Sequence, residues 1–357
     1  MHQYTHAWLA FMAIKRLEKK ALDENDPDRQ YALNLIDWFQ NNKDCVIQGA
    51  WYPDAVIKDN STSHILKIDP YDAADKAAID KRVKKNQVKV VPKEGFKKLP
   101  GEYLCYRTWG QKSALRKQAF VVELKTNLPD RCEAFTETVI DHLKMQWSEQ
   151  KGSPVLPISN QVACLLFMQS HYIADAHMPL HCDGRSFPDN NTFHYDLEEV
   201  WEKKVKTCCK RDLTDKNNPR FVYDEDGYPA VREKAFKDSF LDRVQEELKN
   251  RELKRISSFF TSSNTNVWDF MSAVCQNTYL VSYHFFAPEK LDNKDNPSFK
   301  KWKTRYPKEL EDLSFAVLAD AADSIARVWL RCWRKVEDWK TKKEISAEKK
   351  KQKEKKE

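Results

Sequence analysis

Glycine is scarce in this chain, with seven among 357 residues, far below ordinary usage. That excludes glycine-rich phosphate loops and a fold built on many tight hairpins, and it favours helix. There is no Gly-x-x-x-x-Gly-Lys and no Gly-x-Ser-x-Gly, so neither a P-loop enzyme nor a serine-elbow hydrolase has a basis. Cysteine occurs nine times without a Cys-x-x-Cys pair. An odd number at irregular spacing reads as reduced thiols and a cytoplasmic setting. No apolar run reaches the roughly 18 residues that a spanning helix needs, so no transmembrane segment is expected. Ala7 to Ile14 is apolar, yet no basic stretch precedes it and lysines follow without a small-residue cleavage site. It reads as a first core helix rather than a signal peptide. A global basic footprint for nucleic acid is missing as well. Of the net charge of +7, a net of +5 sits in Lys340 to Glu357, where nine lysines face four glutamates.

What is present is helical pattern. Hydrophobic residues make up 41% and charged residues 32%, enough for a core under long solvated helices. The length exceeds the usual single domain, so one large domain with an insertion, or two domains, is expected. Thr5 is placed to cap a helix over 6–22, with Trp8, Phe11, Met12, Ile14 and Leu17 as its stripe. Further helices are predicted at 29–41, 130–149, 159–177, 190–206, 230–260, 266–285 and 308–340. Residues 65–128 differ in character: a charged helical piece at 71–85, β-leaning Val88 to Val91 and Phe120 to Leu124, and Pro-Gly at 100–101. They read as an insertion or lid on an all-α, multi-helical body covering 1–340. The Lys/Glu-rich tail at 341–357 reads as a solvated helix or a disordered extension.

The chemistry concentrates in one stretch. Of nine histidines, four fall within residues 171–194. His171 precedes Asp175 by four residues, and His194 precedes Glu198 by four, so each pair shares a helix face and can grip one ion. Imidazole with carboxylate is the ligand set of catalytic zinc, not of structural zinc. His171 and Asp175 lie in an otherwise apolar helix, where an unpaired carboxylate costs several kcal/mol; the alternative to metal is a buried His/Asp hydrogen-bond network. For His194 and Glu198 the alternative is an exposed helix pair of small value. His142 and His284 read as ordinary core or surface residues.

The run His171-Tyr-Ile-Ala-Asp175-Ala-His177-Met-Pro-Leu-His181, followed by His194-x-x-x-Glu198, resembles the zinc-dependent phospholipase C / S1-P1 nuclease superfamily. The likeness extends over about 1–64 and 159–202. It implies an all-α fold of the phospholipase C/P1 nuclease type, with up to three zinc ions along a cleft. It also implies that Asp54 and His64 join His171 and Asp175 on one ion, while His181, His194 and Glu198 hold a second. A third would lie on the amine and carbonyl of Met1 with His6, Asp175 bridging it to the first; His2 is the alternative donor. Secreted members begin with Trp where this chain has Met1. Met178 replaces a common Gln, and His177 is expected beside the ligands or at the rim of the cleft.

A cluster of divalent ions binds phosphate oxygens and activates water near neutral pH, so the expected activity is hydrolysis of phosphoesters. The resemblance gives Asp54 the further role of orienting or deprotonating the attacking water. Glu198 resembles the phospholipase C branch, whereas Pro-Leu-His181-Cys-Asp-Gly-Arg resembles the nuclease branch. A phospholipase C-like phosphodiesterase acting on a phospholipid head group is therefore the first expectation. The alternatives are a nuclease or nucleotidase, for which Trp51 and Tyr52 are candidate stacking platforms, and a non-catalytic zinc-stabilised helical scaffold.

Overall fold

The computed structural model describes residues 1–59, 61–70, 76–85, 88–91, 99, 103–111, 120–123, 127–147, 159–185, 187, 192–215, 219–251, 266–287, 290 and 298–354. The architecture is all-α with two small antiparallel sheets. Helix α1 (Gln3–Leu22) runs through the middle and is buried along nearly its whole length. Around it lie α2 (Arg29–Asn42), α3 (Val46–Tyr52), α5 (Leu128–Trp147), α6 (Ser159–Asp175), α8 (Thr192–Cys208), α10 (Phe240–Asn250), α11 (Val267–Phe285) and the long α13 (Pro307–Glu354). Short helices α4 (Lys76–Lys84), α7 (Pro179–Cys182), α9 (Glu233–Phe236) and α12 (Phe299–Arg305) complete the set. Tight packing sets the close approach of α3 to α6. A Cβ at Gly49 would come within 2.7 Å of the Phe167 Cβ, so glycine there lets the two helices meet.

Several expectations need correction. Helix α1 starts at Gln3, and Thr5 lies inside its first turn instead of capping it. The cap comes from another helix: Glu202 of α8 accepts the Tyr4 and Thr5 amides at 3.3 and 2.9 Å and the Thr5 hydroxyl at 3.0 Å. A carboxylate at the free amides of a helix start satisfies both the donors and the helix dipole. The helix predicted over 230–260 is broken. α9 and α10 are separated at Asp238, whose φ of 62° cannot continue a helix, and Ser239 caps α10 through Asp242 N. The stretch 252–260 lies outside the described residues. Conversely, α13 continues past 340 to Glu354, and its last turns are exposed.

Within 65–128, strands β1 (Ile68–Pro70), β2 (Val88–Val91) and β3 (Phe120–Glu123) form an antiparallel sheet in the order β1-β3-β2. A parallel bridge from Ile68 to Asp183 sets this sheet beside α7. Tyr103, Leu104, Cys105 and Tyr106 are core residues, and Asp320 of α13 accepts the Leu104 and Cys105 amides, each at 2.9 Å. Strands β4 (Arg211–Asp212) and β5 (Arg220–Phe221) pair in a small second sheet after α8. Among the described residues no helix is long and apolar enough to cross a membrane.

Candidate metal centre

The C-terminal half of α6 supplies His171 and Asp175, one turn apart and both buried. His171 donates Nδ1–H to the Ala50 carbonyl of α3 at 2.8 Å, which fixes the tautomer and leaves Nε2 facing the cleft. There Nε2 meets His64 Nδ1 at 3.2 Å, Asp175 Oδ2 at 3.2 Å and Asp54 Oδ1 at 3.5 Å. His64 Nδ1 also lies 2.9 Å from Asp175 Oδ2. Asp54 arrives on a π-helical turn (Pro53–Ile57) that extends α3, and His64 ends a short 3-10 turn.

A second group sits on α7 and α8. His181 Nε2 and His194 Nε2 are 2.9 Å apart, and Glu198 Oε1 lies 2.9 Å from the latter and 3.5 Å from the former. The Met1 amine lies between the two groups, 3.1 Å from Asp175 Oδ1 and 2.8 Å from Glu198 Oε1. His6, one turn along α1, stacks on His171 with ring centroids 3.9 Å apart, its Nε2 3.5 Å from Asp175 Oδ1. Seven of the nine residues singled out from the sequence therefore line one cleft of about 480 Å³, and the other two, His6 and His171, stand directly behind it against Asp175 and Asp54.

The donor set fits divalent metal. Three trios each keep their ligand atoms within 4.8 Å of one another: His64/His171/Asp175 and His6/Asp54/His171, which share His171, and the separate His181/His194/Glu198. Imidazole nitrogens that face each other beside one carboxylate oxygen compete for a single proton, whereas a cation among them satisfies every lone pair at once. Both His6 nitrogens and His181 Nδ1 are buried without a hydrogen-bond partner, the unsatisfied condition that native interiors avoid.

Charge follows the same logic. Burial works against the Met1 ammonium, but the Asp175 and Glu198 carboxylates outweigh it and raise its pKa to about 11. Burial likewise opposes charge on His171, and Asp175 with Asp54 overcomes it, lifting the imidazole to about 9. His181 goes the other way, pushed down to about 4 mainly by burial, and burial with the neighbouring His171 holds His6 well below its usual range. Burial disfavours ionised Asp175 and Glu198, yet the amine and the adjacent histidines hold both well below the ordinary carboxylate range. For Asp54, burial is outweighed by the hydrogen bond and charge of His171, so it is ionised at neutral pH.

Other predicted positions fall differently. His177 is neither ligand nor rim: it is buried behind the Asp175 turn, its Nε2 2.8 Å from Ser324 Oγ and its ring parallel to Tyr103. The His2 imidazole turns toward Glu199, at 3.7 Å, so the amine and not that ring stands between the two groups. Trp51 and Tyr52 are exposed. Sequence reasoning missed Glu202, although its position four residues after Glu198 was a legible sign. It also missed Asp59 and Lys58 in the lining of the cleft. Asp59 accepts from Tyr172 Oη at 2.7 Å and from Arg131 Nε at 2.9 Å, and nothing in the local pattern marks it.

No family model matches the chain, and no curated protein matches it in sequence. Among solved structures it is similar to the alpha-toxin of Clostridium perfringens isolated from an avian strain, at 15% identity and a TM-score of 0.45. That alignment covers 94% of this chain and 64% of the toxin chain, so the chain spans less than two thirds of the toxin's length.

Proposed function

We propose that this chain is a zinc-dependent hydrolase of the phospholipase C/P1 nuclease type that cleaves phosphoester bonds with metal-activated water, phospholipase C-like in its substrate. Residues 1–340 would form the hydrolase domain, with the insertion at about 65–128, and 341–357 an appended tail. One observation carries the reading: nine donor residues from separate parts of the chain converge on one place, and three of their imidazole nitrogens are buried without a hydrogen bond. Asp54, His64, His171 and Asp175 would hold one ion, and His181, His194 and Glu198 a second. Met1 and His6 would share Asp175 in a third, giving two to three zinc ions.

Zinc bound there supplies Lewis acidity toward phosphoryl oxygens and water activated near neutral pH. The residues themselves divide the remaining work. Asp175, fully buried among cations, fixes the spacing of the two groups. Asp54 is the most open of the carboxylates, with its side chain 41% exposed, and being ionised it can orient the attacking water and accept its proton. The His171–Ala50 bond keeps the imidazole aimed at the cleft. Hydrolysis of a water-soluble phosphodiester by zinc-loaded protein, abolished by chelator and by Asp54→Asn, tests the reading. Zinc content without hydrolysis of any phosphoester would leave a zinc-stabilised scaffold instead.

A further inference from the structure

The helix that delivers Asp54 is apolar on both sides. Val46, Ile47, Ala50 and Pro53 are buried against the body. On the outer side Trp51 (38% exposed), Tyr52 (37%), Val56 (58%) and Ile57 (46%) stand open, and Leu213 (60%) stands open as well. A helix apolar all round belongs inside a core; here no described layer of the protein covers the outer stripe. Trp51, Tyr52, Val56 and Leu213 line an apolar groove of about 640 Å³, and Asp54, on the same short segment, lines the metal cleft. Lys58 closes that segment in the left-handed conformation, with φ of 48°. Its ammonium has no hydrogen bond or ion pair among the described residues, and among those residues it is the Lys that lines the cleft.

We infer that this outer stripe docks on a lipid surface, with Lys58 at the level of the phosphates, and so presents phosphoester head groups to the metal cleft. The inference rests on the phosphoester reading above and adds the surface by which a lipid substrate would be met. Along the segment from Trp51 to Lys58, groove-lining apolar side chains come first and the cleft-lining Asp54 and Lys58 lie beside them, the order of a phospholipid's own parts from tail to phosphate. Trp and Tyr are the side chains that settle at a water–hydrocarbon boundary, and a cation there meets the phosphate layer while its stem lies along apolar surface. The observations favour lipid over a nucleic acid strand. A strand calls for flat aromatic faces along a track of cations, whereas the outermost side chains of this surface are the aliphatic Val56, Ile57 and Leu213.

Flotation of the zinc-loaded protein on ice with phosphatidylcholine vesicles, with and without a minor fraction of phosphatidylserine, tests the inference. Wild-type protein should float, and the double variant Val56→Ser/Ile57→Ser should partition about tenfold more weakly. Leu213→Ser, which leaves the helix untouched, should weaken partition by about threefold. Lys58→Ala should remove most of the preference for the anionic vesicles. Melting temperatures equal to wild type are expected, because these side chains are exposed. A wild type that stays in solution, or variants that float like wild type, overturns the inference. So does single-stranded DNA binding that the double variant loses while no vesicle is bound. Failure of the wild type to hydrolyse a soluble phosphodiester without acyl chains strikes the parent reading alone, since flotation needs no turnover.

Discussion

Two buried charge clusters lie on opposite sides of the turn that follows Asp175, and they are built to opposite ends. Behind the turn, Arg16, Arg251 and Arg327 meet Asp320 and Asp323. Asp323 accepts from Arg16 Nε at 2.6 Å and Arg327 Nε at 2.8 Å, and Asp320 accepts from Arg251 Nη2 at 3.0 Å and from two backbone amides. Arg251 Nη1 alone lacks a hydrogen bond there, and it still faces Asp323 Oδ2 at 3.8 Å. That cluster closes on itself. In front of the turn, imidazoles crowd carboxylates at 2.9 to 3.9 Å, yet three ring nitrogens remain unsatisfied. His171 and Asp175, at the heart of the front cluster, are as buried as Arg16 and Asp323 behind it. What differs is whether the protein's own groups complete the cluster, and that difference separates a structural network from a site made for a cation.

The comparison is breakable first where effects are largest. Asp323→Ala leaves buried arginines without their counter-charge and should cost about 3–5 kcal/mol of unfolding free energy, identical with and without chelator. His171→Ala and His194→Ala should behave otherwise. In excess zinc each loses bound metal and about 3–4 kcal/mol of ligand-linked stability, and in chelator the deficit shrinks. Denaturant unfolding in both buffers checks the pair. A cleft variant whose deficit ignores chelator would make the front cluster a closed network like the other.

Acidity sharpens the contrast next. The Met1 amine and His171 have folded pKa values above their ordinary ones, about 11 against 8.0 and about 9 against 6.5. Their contribution to metal-free protein is therefore full below pH 6.5 and lost as pH rises through 9 and then 11. Zinc reverses the slope, because the same donors must shed protons to bind it. Melting temperature from pH 6.5 to 10 should fall in chelator and hold or rise in zinc. Parallel curves would contradict a metal role for these groups.

Smaller effects come from the ends of the chain. A few residues added ahead of Met1 convert the charged amine to an amide, so about one zinc equivalent should be lost, with His6 and Asp175 left short of donors. Metal analysis of the two forms checks this. A form lacking residues 341–357 should keep its zinc content and its activity, since 341–354 form the exposed end of α13.

The sequence made legible what depends on local spacing. His171/Asp175 and His194/Glu198 announced themselves because one helical turn puts both donors on a face, and the all-α body followed from the sparse glycine and the period of the apolar stripes. Asp54, His64, His6 and Met1 had no local signal and were reached only through resemblance, since their approach depends on how α1 and α3 pack on α6. The arginine network was invisible for a related reason: Asp320, Asp323 and Arg327 at helical spacing in α13 look like a solvated face until α1, α10 and residues 103–106 cover them. Turn-level detail misled where a tertiary partner took over, as Glu202 did in place of Thr5 at the start of α1.

Diffraction from a zinc-soaked crystal, recorded on both sides of the zinc absorption edge, tests the central claim most directly. The account predicts anomalous peaks enclosed by Asp54, His64, His171 and Asp175 and by His181, His194 and Glu198, with a third beside Met1 and His6 when the amine is free. Zinc-saturated crystals with no peak in the cleft, and the same side chains still paired only with one another, would contradict it.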